Sequence, residues 1–482
     1  MKKVLLAIML MATLVAVPAF AAVQNIKVSG NIDSTFLYRD RFDLRDTNPL
    51  GDLTRPQYEQ RLFLTQTRLR VDADLSDNVS TTVALINERA WGTEGETSGD
   101  TNVDLYLAYA TLRQMLYSPL TVTIGRQYFN YGNGFIIGDI GPNNVATGPL
   151  GGIAGDLTLR TSTDGIKMVF DYKPLTIDLF AAKIAAKNLA GRTGAHKDDI
   201  DLYGLNANYQ LGDSMNTTVE GYFFNKVDNS FRSPGGGAAA GQKADTVYTP
   251  GLRASTNPIK GLNVQGEVAW QRGNKVVSTA VTGYNEKREA MGAQVITNYQ
   301  IQCEKVKKWN PMVQGVYTFV SGDSNTGDAP DPFRPRSRNK WTAWDPMFET
   351  QSGGKIYNSI FNLTNDHIVE LSTQFTPIED VTAKFTWTGM WLDKRLDGSA
   401  GTGLTTLAAG TFVLPDGTGS TWAPRVTSNL DLGWEVDADF GYNYTEDVRL
   451  GLNFGWFFPG NAFDTGYQAN AKQAMATIGV AF

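Results

Sequence analysis

Apolar and polar residues alternate with a period of two at the C-terminal end of the chain. From Asn429 to Phe440 every even-numbered residue is apolar and every odd-numbered residue is polar, acidic or glycine. From Ala474 onward, Ala476, Ile478, Val480 and the terminal Phe482 share one face. Successive side chains of a β-strand point to opposite faces, so both stretches predict amphipathic strands. A terminal aromatic residue on the apolar face is typical of an outer-membrane barrel whose last strand pairs with its first.

The same alternation recurs through the rest of the chain and predicts about 18 strands, an even number as in bacterial barrels. In the first strand the apolar residues fall on one face and Lys27 with other polar residues on the other. The predicted strands are 26–39, 58–75, one that begins near 81, 103–113, 119–129, 164–172, 174–186, 199–211, 216–227, 245–256, 260–273, 287–300, 309–322, 366–377, 380–393, 428–443, 446–458 and 471–482.

The lengths of the connections alternate in the same way. Short turns follow the even-numbered strands, as at residues 75–78 and 444–446. Long segments rich in Gly, Asp and Pro follow odd-numbered strands, at 130–163, 228–244, 323–365 and 394–427. A β-propeller or a sandwich would not sort its loops by length in this way. The fold class is therefore predicted to be all-β, a transmembrane antiparallel β-barrel with short periplasmic turns and long extracellular loops.

The N-terminus has the three parts of a secretory signal peptide. Lys2 and Lys3 precede an apolar run over residues 4–17, and small residues surround Ala21. The apolar run is shorter than the about 20 residues that a membrane-spanning helix needs. We therefore predict a cleaved signal peptide over residues 1–21, a barrel over residues 22–482, and the outer membrane of a Gram-negative cell as the destination.

Composition excludes several other classes of protein. The single cysteine, Cys303, cannot form a disulfide framework or a thiolate metal cluster within one chain. Two histidines, His196 and His367, leave little for metal or acid–base chemistry. The formal net charge of −6 argues against nucleic-acid binding. We expect no cofactor, no metal and no catalytic residues.

The polar faces of the strands supply the candidate pore residues. Arg68, Arg70, Asp72 and Asp74 share one face of the second strand, where they would either simply fill a polar wall or also line a pore; in a wide barrel the two roles coincide. Loop 130–163 either folds into the lumen and narrows it or caps the barrel from outside, and we favour the lumen. The candidates for the pore lining and its constriction are Lys27, Arg68, Arg70, Asp72, Asp74, Arg126, Asp139, Glu267, Lys384, Glu435 and Asp437.

Three groups of residues resemble the alginate-export family of outer-membrane barrels. They are Gly125-Arg126-Gln127 with Tyr131-Gly132-Asn133-Gly134 and Gly138-Asp139; Ser321-Gly322-Asp323 with Trp344-Asp345-Pro346-Met347-Phe348; and Leu432-Gly433-Trp434-Glu435-Val436-Asp437 with Phe457-Phe458-Pro459-Gly460-Asn461-Ala462-Phe463. The resemblance implies a monomeric barrel of about 18 strands that passes its substrate by diffusion, without ATP or a cofactor. The family's alginate exporter has a strongly basic lumen, whereas the polar faces here mix both charges.

The sequence thus predicts a porin for small hydrophilic or charged solutes, such as organic acids, sugars or an anionic polysaccharide. The expected partners are outer-membrane lipid, these solutes and, through Phe482, the barrel-assembly machinery. One alternative is an outer-membrane lipid hydrolase, for which His367 is in phase with lipid-facing residues but has no evident partner serine. The other is an adhesive or structural barrel that uses loops 323–365 and 394–427. Residues 323–328 carry oxygen ligands that could hold calcium, although a plain turn fits them better.

Overall fold

The structure is a computed structural model that describes residues 25–45, 59–93, 103–139, 150, 153–185, 199–229, 244–278, 283–323, 340–350, 353–395 and 426–482. These residues contain nineteen β-strands and one α-helix, α1, at Lys355–Ile360. The strands are β1 Asn25–Asp40, β2 Glu59–Ser76, β3 Val79–Ala90, β4 Asp104–Arg113, β5 Leu120–Gln127, β6 Thr163–Asp171, β7 Leu175–Ala185, β8 Ile200–Gln210, β9 Thr218–Asp228, β10 Asp245–Ile259, β11 Leu262–Ser278, β12 Gly283–Gln300, β13 Met312–Val320, β14 Lys340–Trp341, β15 Asp366–Ile378, β16 Val381–Leu392, β17 Asp431–Asn443, β18 Val448–Pro459 and β19 Ala471–Ala481.

Eighteen of the described strands form one closed antiparallel barrel, as predicted. Each barrel strand pairs with its neighbour in sequence, and β13 pairs with β15 because the two-residue strand β14 lies in the loop between them. The last strand closes the sheet against the first, with Asn31 opposite Ala481. Beyond this pair, Gly30 and Phe482 exchange backbone hydrogen bonds of 2.8 and 3.0 Å. Closure removes the unpaired edges that a membrane-spanning sheet cannot tolerate.

The alternation seen in the sequence separates an outer apolar face from an inner polar face. Along β1, Ile26, Val28 and Ile32 are exposed on the outside, while Thr35 and Arg39 are buried inside. The outer face of the whole barrel is dominated by apolar and aromatic side chains, among them Phe63, Leu69, Tyr203, Phe223, Val295, Leu371, Trp434 and Ile478. This is the surface that lipid chains would cover. No helix in the described part of the chain is long and apolar enough to cross a membrane.

The alternation predicted for Asn429–Phe440 fails at one point. Leu432 was expected on the outer face with Trp434, but it is buried in the interior, with 2% of its surface exposed. The pairing of β16 with β17 shifts register next to Gly433, whose φ of 112° is one that glycine adopts without strain. This bulge inserts one extra residue, and Leu432 therefore turns inward.

The interior is not simply a polar tube, because loop residues pack inside it. Three stretches of loop contact inward-facing wall residues, and we call them the first inner segment (129–139), the second (153–162) and the third (343–363, apart from 351–352). Together with wall residues they form one apolar cluster that includes Phe129, Phe135, Trp344, Ile356, Tyr357, Ile360, Phe361, Phe180, Phe224 and Phe457. Each large side chain buried in this way contributes about 2 kcal/mol. The cluster holds the inner segments against the wall.

Candidate functional site

The first inner segment rests on β7, β10 and β11. The ring of Tyr131 stacks on Phe180 with 5.2 Å between the ring centroids. The side-chain amide of Asn133 donates to Gln265 at 2.6 Å and accepts a hydrogen bond from Arg253 at 3.2 Å. Between them Gly132 has φ 58°, and a Cβ there would lie 3.1 Å from the Cδ atom of Arg253. The segment is thus fitted closely to the wall at a position that favours glycine.

The second inner segment lies against β1, β2 and β3. Asp156 pairs with the fully buried guanidinium of Arg39, with one contact of 3.1 Å. The carbonyl oxygen of Leu157 accepts a hydrogen bond from Gln66 at 2.8 Å. Arg160 pairs with Glu88 at 2.9 Å. Ion pairs buried in this way are costly to break singly, because the remaining charge has no partner.

The third inner segment is anchored to β9, β11 and β12 by Asp345. Its carboxylate pairs with Lys226, at 2.6 Å, and with Arg288, at 3.5 Å. Its backbone N–H and C=O both bond to the side chain of Gln271, at 2.8 and 2.7 Å. Burial alone would raise the pKa of Asp345, but Lys226, Arg288 and Lys275 outweigh that effect and hold the pKa well below its usual value.

Farther along, the third inner segment forms α1 and meets β17 on another side of the lumen. The fully buried carboxylate of Glu435 accepts hydrogen bonds from the backbone N–H groups of Lys355, Ile356 and Tyr357, at 2.6, 2.8 and 2.8 Å. The hydroxyl of Tyr357 donates to Asp366. Burial and this neighbouring carboxylate raise the pKa of Tyr357 well above its usual value. A carboxylate that satisfies three helix N–H groups is a strong anchor for a short helix.

The three inner segments also bind one another. Phe135 of the first stacks on Trp344 of the third, with 5.7 Å between the centroids. The N–H of Gly138 donates to the carbonyl of Phe348 at 2.8 Å. Ser359 of the third donates to Asp156 of the second at 2.9 Å. The segments therefore form one connected unit whose anchors lie on β1 to β3, on β7, on β9 to β12 and on β17.

The structure divides the eleven candidate pore residues into several groups. Six point inward and are exposed or half-buried: Lys27, Arg68, Arg70, Asp72, Asp74 and Lys384. Three point inward but are buried: Glu267, Glu435 and Asp437. Asp139 belongs to the first inner segment, where its N–H donates to the carbonyl of Phe348 at 3.0 Å.

Arg126 is placed differently from the sequence-based expectation. It lies on the outer face of the barrel, two residues after the exposed Ile124, and pairs at 2.9 Å with Asp164, which is itself 61% exposed. Strand periodicity gives residues 124 and 126 the same face. Arg126 therefore faces away from the lumen.

Several inward-facing cations were not among the candidate pore residues. Arg39, Arg253 and Arg288 each bind a carboxylate on the wall or on an inner segment. The third inner segment was also missed, because residues 323–365 were expected to form an external loop. One signal was available: Ile356, Tyr357, Ile360, Phe361 and Leu363 make this loop unusually apolar, which suits burial better than exposure to water.

His367 lies outside the lumen. It points outward on β15, where its Nδ1 is 2.8 Å from the hydroxyl of Tyr317 and its Nε2 is 3.8 Å from Asp393. Within the described ranges no serine, threonine or cysteine is hydrogen-bonded to it.

His196 and residues 324–328 lie outside the described residues. Asp323 is described, and one oxygen of its carboxylate accepts a hydrogen bond from the N–H of Thr342 at 2.8 Å. No group of residues that could hold a metal ion occurs in the described part of the chain.

Comparison with known proteins gives a consistent picture. The profile of the family described as "Alginate export" matches residues 32–477. No curated protein matches the chain. The solved structure of Pseudomonas aeruginosa OccK2 (OpdF) in complex with glucuronate is 11% identical, with a TM-score of 0.52 over 95% of this chain and 99% of that one. Pseudomonas aeruginosa OpdQ is 12% identical, with a TM-score of 0.54 over 95% of this chain and 98% of that one. At this identity the likeness shows the fold.

Proposed function

Because this chain belongs to the alginate-export family, we propose that it is an outer-membrane channel through which small hydrophilic solutes diffuse passively. The observation that carries the proposal is the inner face of β1 and β2. There Lys27, Arg68, Arg70 and Asp72 point into the barrel and remain exposed or half-buried, although the barrel wall surrounds them. Charged side chains that stay in contact with water inside a membrane-spanning barrel are the ordinary lining of a water-filled channel.

The inner segments supply the constriction in this proposal. The part of loop 130–163 that the structure describes is bound to wall residues at Arg253, Gln265, Arg39 and Glu88, and the third inner segment reaches β17. A passage must therefore run beside these segments, past the charged groups that they leave exposed. A narrow passage with fixed charges selects ions by sign.

The class of solute follows from the exposed guanidinium groups. Arg68 has no ion pair among the described residues and donates to Asn31 at 2.8 Å, which leaves it donors for a solute. Arginine binds carboxylates through two parallel hydrogen bonds. Organic acids, sugar acids and an anionic polysaccharide therefore fit this wall, and OccK2, which has a similar fold, was crystallised with glucuronate. The acidic residues elsewhere in the lumen favour short solutes over a long polyuronate.

The direct test is to purify the mature barrel, insert it into a planar bilayer and record single-channel currents across a salt gradient. The proposal predicts discrete conductance steps and a reversal potential different from zero. Glucuronate should interrupt the current. A folded barrel that stays silent would contradict the proposal and would favour an adhesive or structural role.

The apolar outer face suits contact with membrane lipid, and the C-terminus suits recognition by the barrel-assembly machinery. The ring of Phe482 is 60% exposed and lies across Gly30, where a Cβ would be 2.6 Å from it. We expect Phe482→Ala to lower the amount of folded barrel in cells, while refolding in detergent stays close to normal. Ile478→Ala, on the same outer face, is the matched control. Equal yields of the two variants in cells would contradict this role.

N-terminal sequencing of the membrane-extracted protein tests cleavage after Ala21.

A further inference from the structure

A small recess opens in the inner wall at β12, β13 and β15, away from Arg68 and Arg70. Its volume is about 190 Å³, and it is lined by Gln294, Gln314, Thr318, Ile368, Glu370 and, from the third inner segment, Gly353. Cross-strand pairing explains why these residues meet. Gln294, Thr318 and Ile368 form one rung of the sheet, and Glu370 lies on the next inward-facing rung.

At Gly353 the third inner segment lies directly against the rung that contains Ile368. A Cβ on Gly353 would lie 2.6 Å from Ile368 and 2.9 Å from Thr388. Any side chain at residue 353 would therefore force the segment away from the wall. The recess is bounded by both the barrel wall and the inner segment, so that it is a built feature of the lumen.

The recess contains hydrogen-bond acceptors that the described residues do not satisfy. Gln294 is only 2% exposed, and its amide nitrogen donates to Thr318 at 3.0 Å. Its carbonyl oxygen is buried and has no hydrogen-bond partner among the residues that the structure describes. Leaving such a group unpaired is costly, so a donor that reaches it is stabilised.

Glu370 adds a negative charge to the same recess. It forms no ion pair with any lysine or arginine in the described ranges, and Lys384 acts on it only through space. The amide of Gln314 donates to Asn298 at 2.8 Å, away from Glu370. A partly buried carboxylate with no bonded cation attracts donors, above all positively charged ones.

From this geometry we propose that the recess is a binding site for a hydrogen-bond-donating group of a small solute, an ammonium or a sugar hydroxyl, and that it disfavours carboxylates. Its volume lies below the about 300 Å³ of the smallest ordinary ligand pockets, so it takes one such group or one small ring. This inference rests on the proposed channel function and adds a second binding site with a preference opposite to that of Arg68 and Arg70.

Three sugars of matched shape test the proposal by interruption of single-channel current: glucosamine, which is protonated, glucose, and glucuronate. We expect Glu370→Gln to shorten the glucosamine interruptions about ten-fold, because a charge-assisted bond is lost. Glucose interruptions should change little in that variant. Gln294→Met should shorten the interruptions by glucosamine and by glucose. The interruptions by glucuronate should stay as in the wild type.

Asp171→Asn is the matched control, because Asp171 is a partly exposed carboxylate at the end of β6, outside the recess. Unchanged glucosamine interruptions in both Glu370→Gln and Gln294→Met would overturn the proposal while leaving the channel function intact. A silent channel would instead defeat the proposed function. In that case, calorimetric titration of glucosamine into the detergent-solubilised barrel tests binding in the recess without a channel measurement. Equal heats for the wild type and Glu370→Gln would overturn the proposed binding site.

Discussion

Arg70 and Glu435 both lie on the polar inner face of a barrel strand, yet their surroundings are opposite. The Arg70 side chain is 42% exposed and pairs with Asp72, on its own strand, at 2.7 Å. Glu435 is fully buried and binds three backbone N–H groups of the third inner segment. The polar face of β2 thus remains a surface for solutes at this position, whereas that of β17 has become the dock for a loop.

The difference shows that an inward-facing charge in a wide barrel has two possible partners, the solute or an inner segment. Asp345 makes the same point from the side of the loop, because its contacts with Lys226 and Arg288 occupy cations that would otherwise face the lumen. Mutations at docked and undocked charges should therefore change different properties of the channel.

The largest effect is expected from Glu435→Ala. This change leaves the three N–H groups at the start of α1 without their acceptor, which should weaken docking of the third inner segment by about 3 kcal/mol. The ratio of docked to undocked segment would then fall about 100-fold, and single-channel conductance should rise. Asp171→Asn should leave the conductance unchanged. If Glu435→Ala conducts as the wild type does, α1 does not obstruct the passage.

A charge reversal at wall residues that do not anchor an inner segment should change ion selectivity rather than conductance. Replacing both Arg68 and Arg70 with Glu should shift the reversal potential toward that of a cation-selective channel. The energy of a passing ion changes by about 1 kcal/mol for each of these charges that it approaches within 4 Å. Arg126→Glu is the control, because Arg126 faces the outside of the barrel. An equal shift in both variants, or none in the double variant, would remove Arg68 and Arg70 from the ion pathway.

The most pH-dependent effect is expected at Asp345. Its lowered pKa means that it stabilises docking above its usual pKa of 3.8, and that this stabilisation is lost only as the pH falls through the lower value of the folded state. Asp345→Asn should therefore loosen the third inner segment at neutral pH by about 2 kcal/mol.

The measurement is conductance as a function of pH. The difference between the wild type and Asp345→Asn should be greatest above about pH 4 and should shrink as the solution becomes more acidic. A difference that grows with acidity would show that the carboxylate of Asp345 is not charged when the segment is docked.

Periodicity and loop length were enough to predict the barrel. Side chains of a strand must alternate between lipid and lumen, so a two-residue period is written directly into the sequence, as it is for Ile26 to Tyr38 in β1. The same rule correctly placed Arg68, Arg70, Asp72 and Asp74 on the inner face. The misplacement of Leu432 came from a bulge at Gly433, a local event that pattern counting does not detect.

The sequence alone therefore determined the barrel, its 18 strands, and the inward orientation of nine of the eleven candidate residues. Only the tertiary structure decided which of those residues remain exposed in the lumen and which anchor an inner segment. The physical reason is that strand periodicity is local, whereas the docking of α1 on Glu435 joins residues about 80 positions apart. Such a contact depends on the path of a loop across the lumen, and no short-range pattern encodes that path.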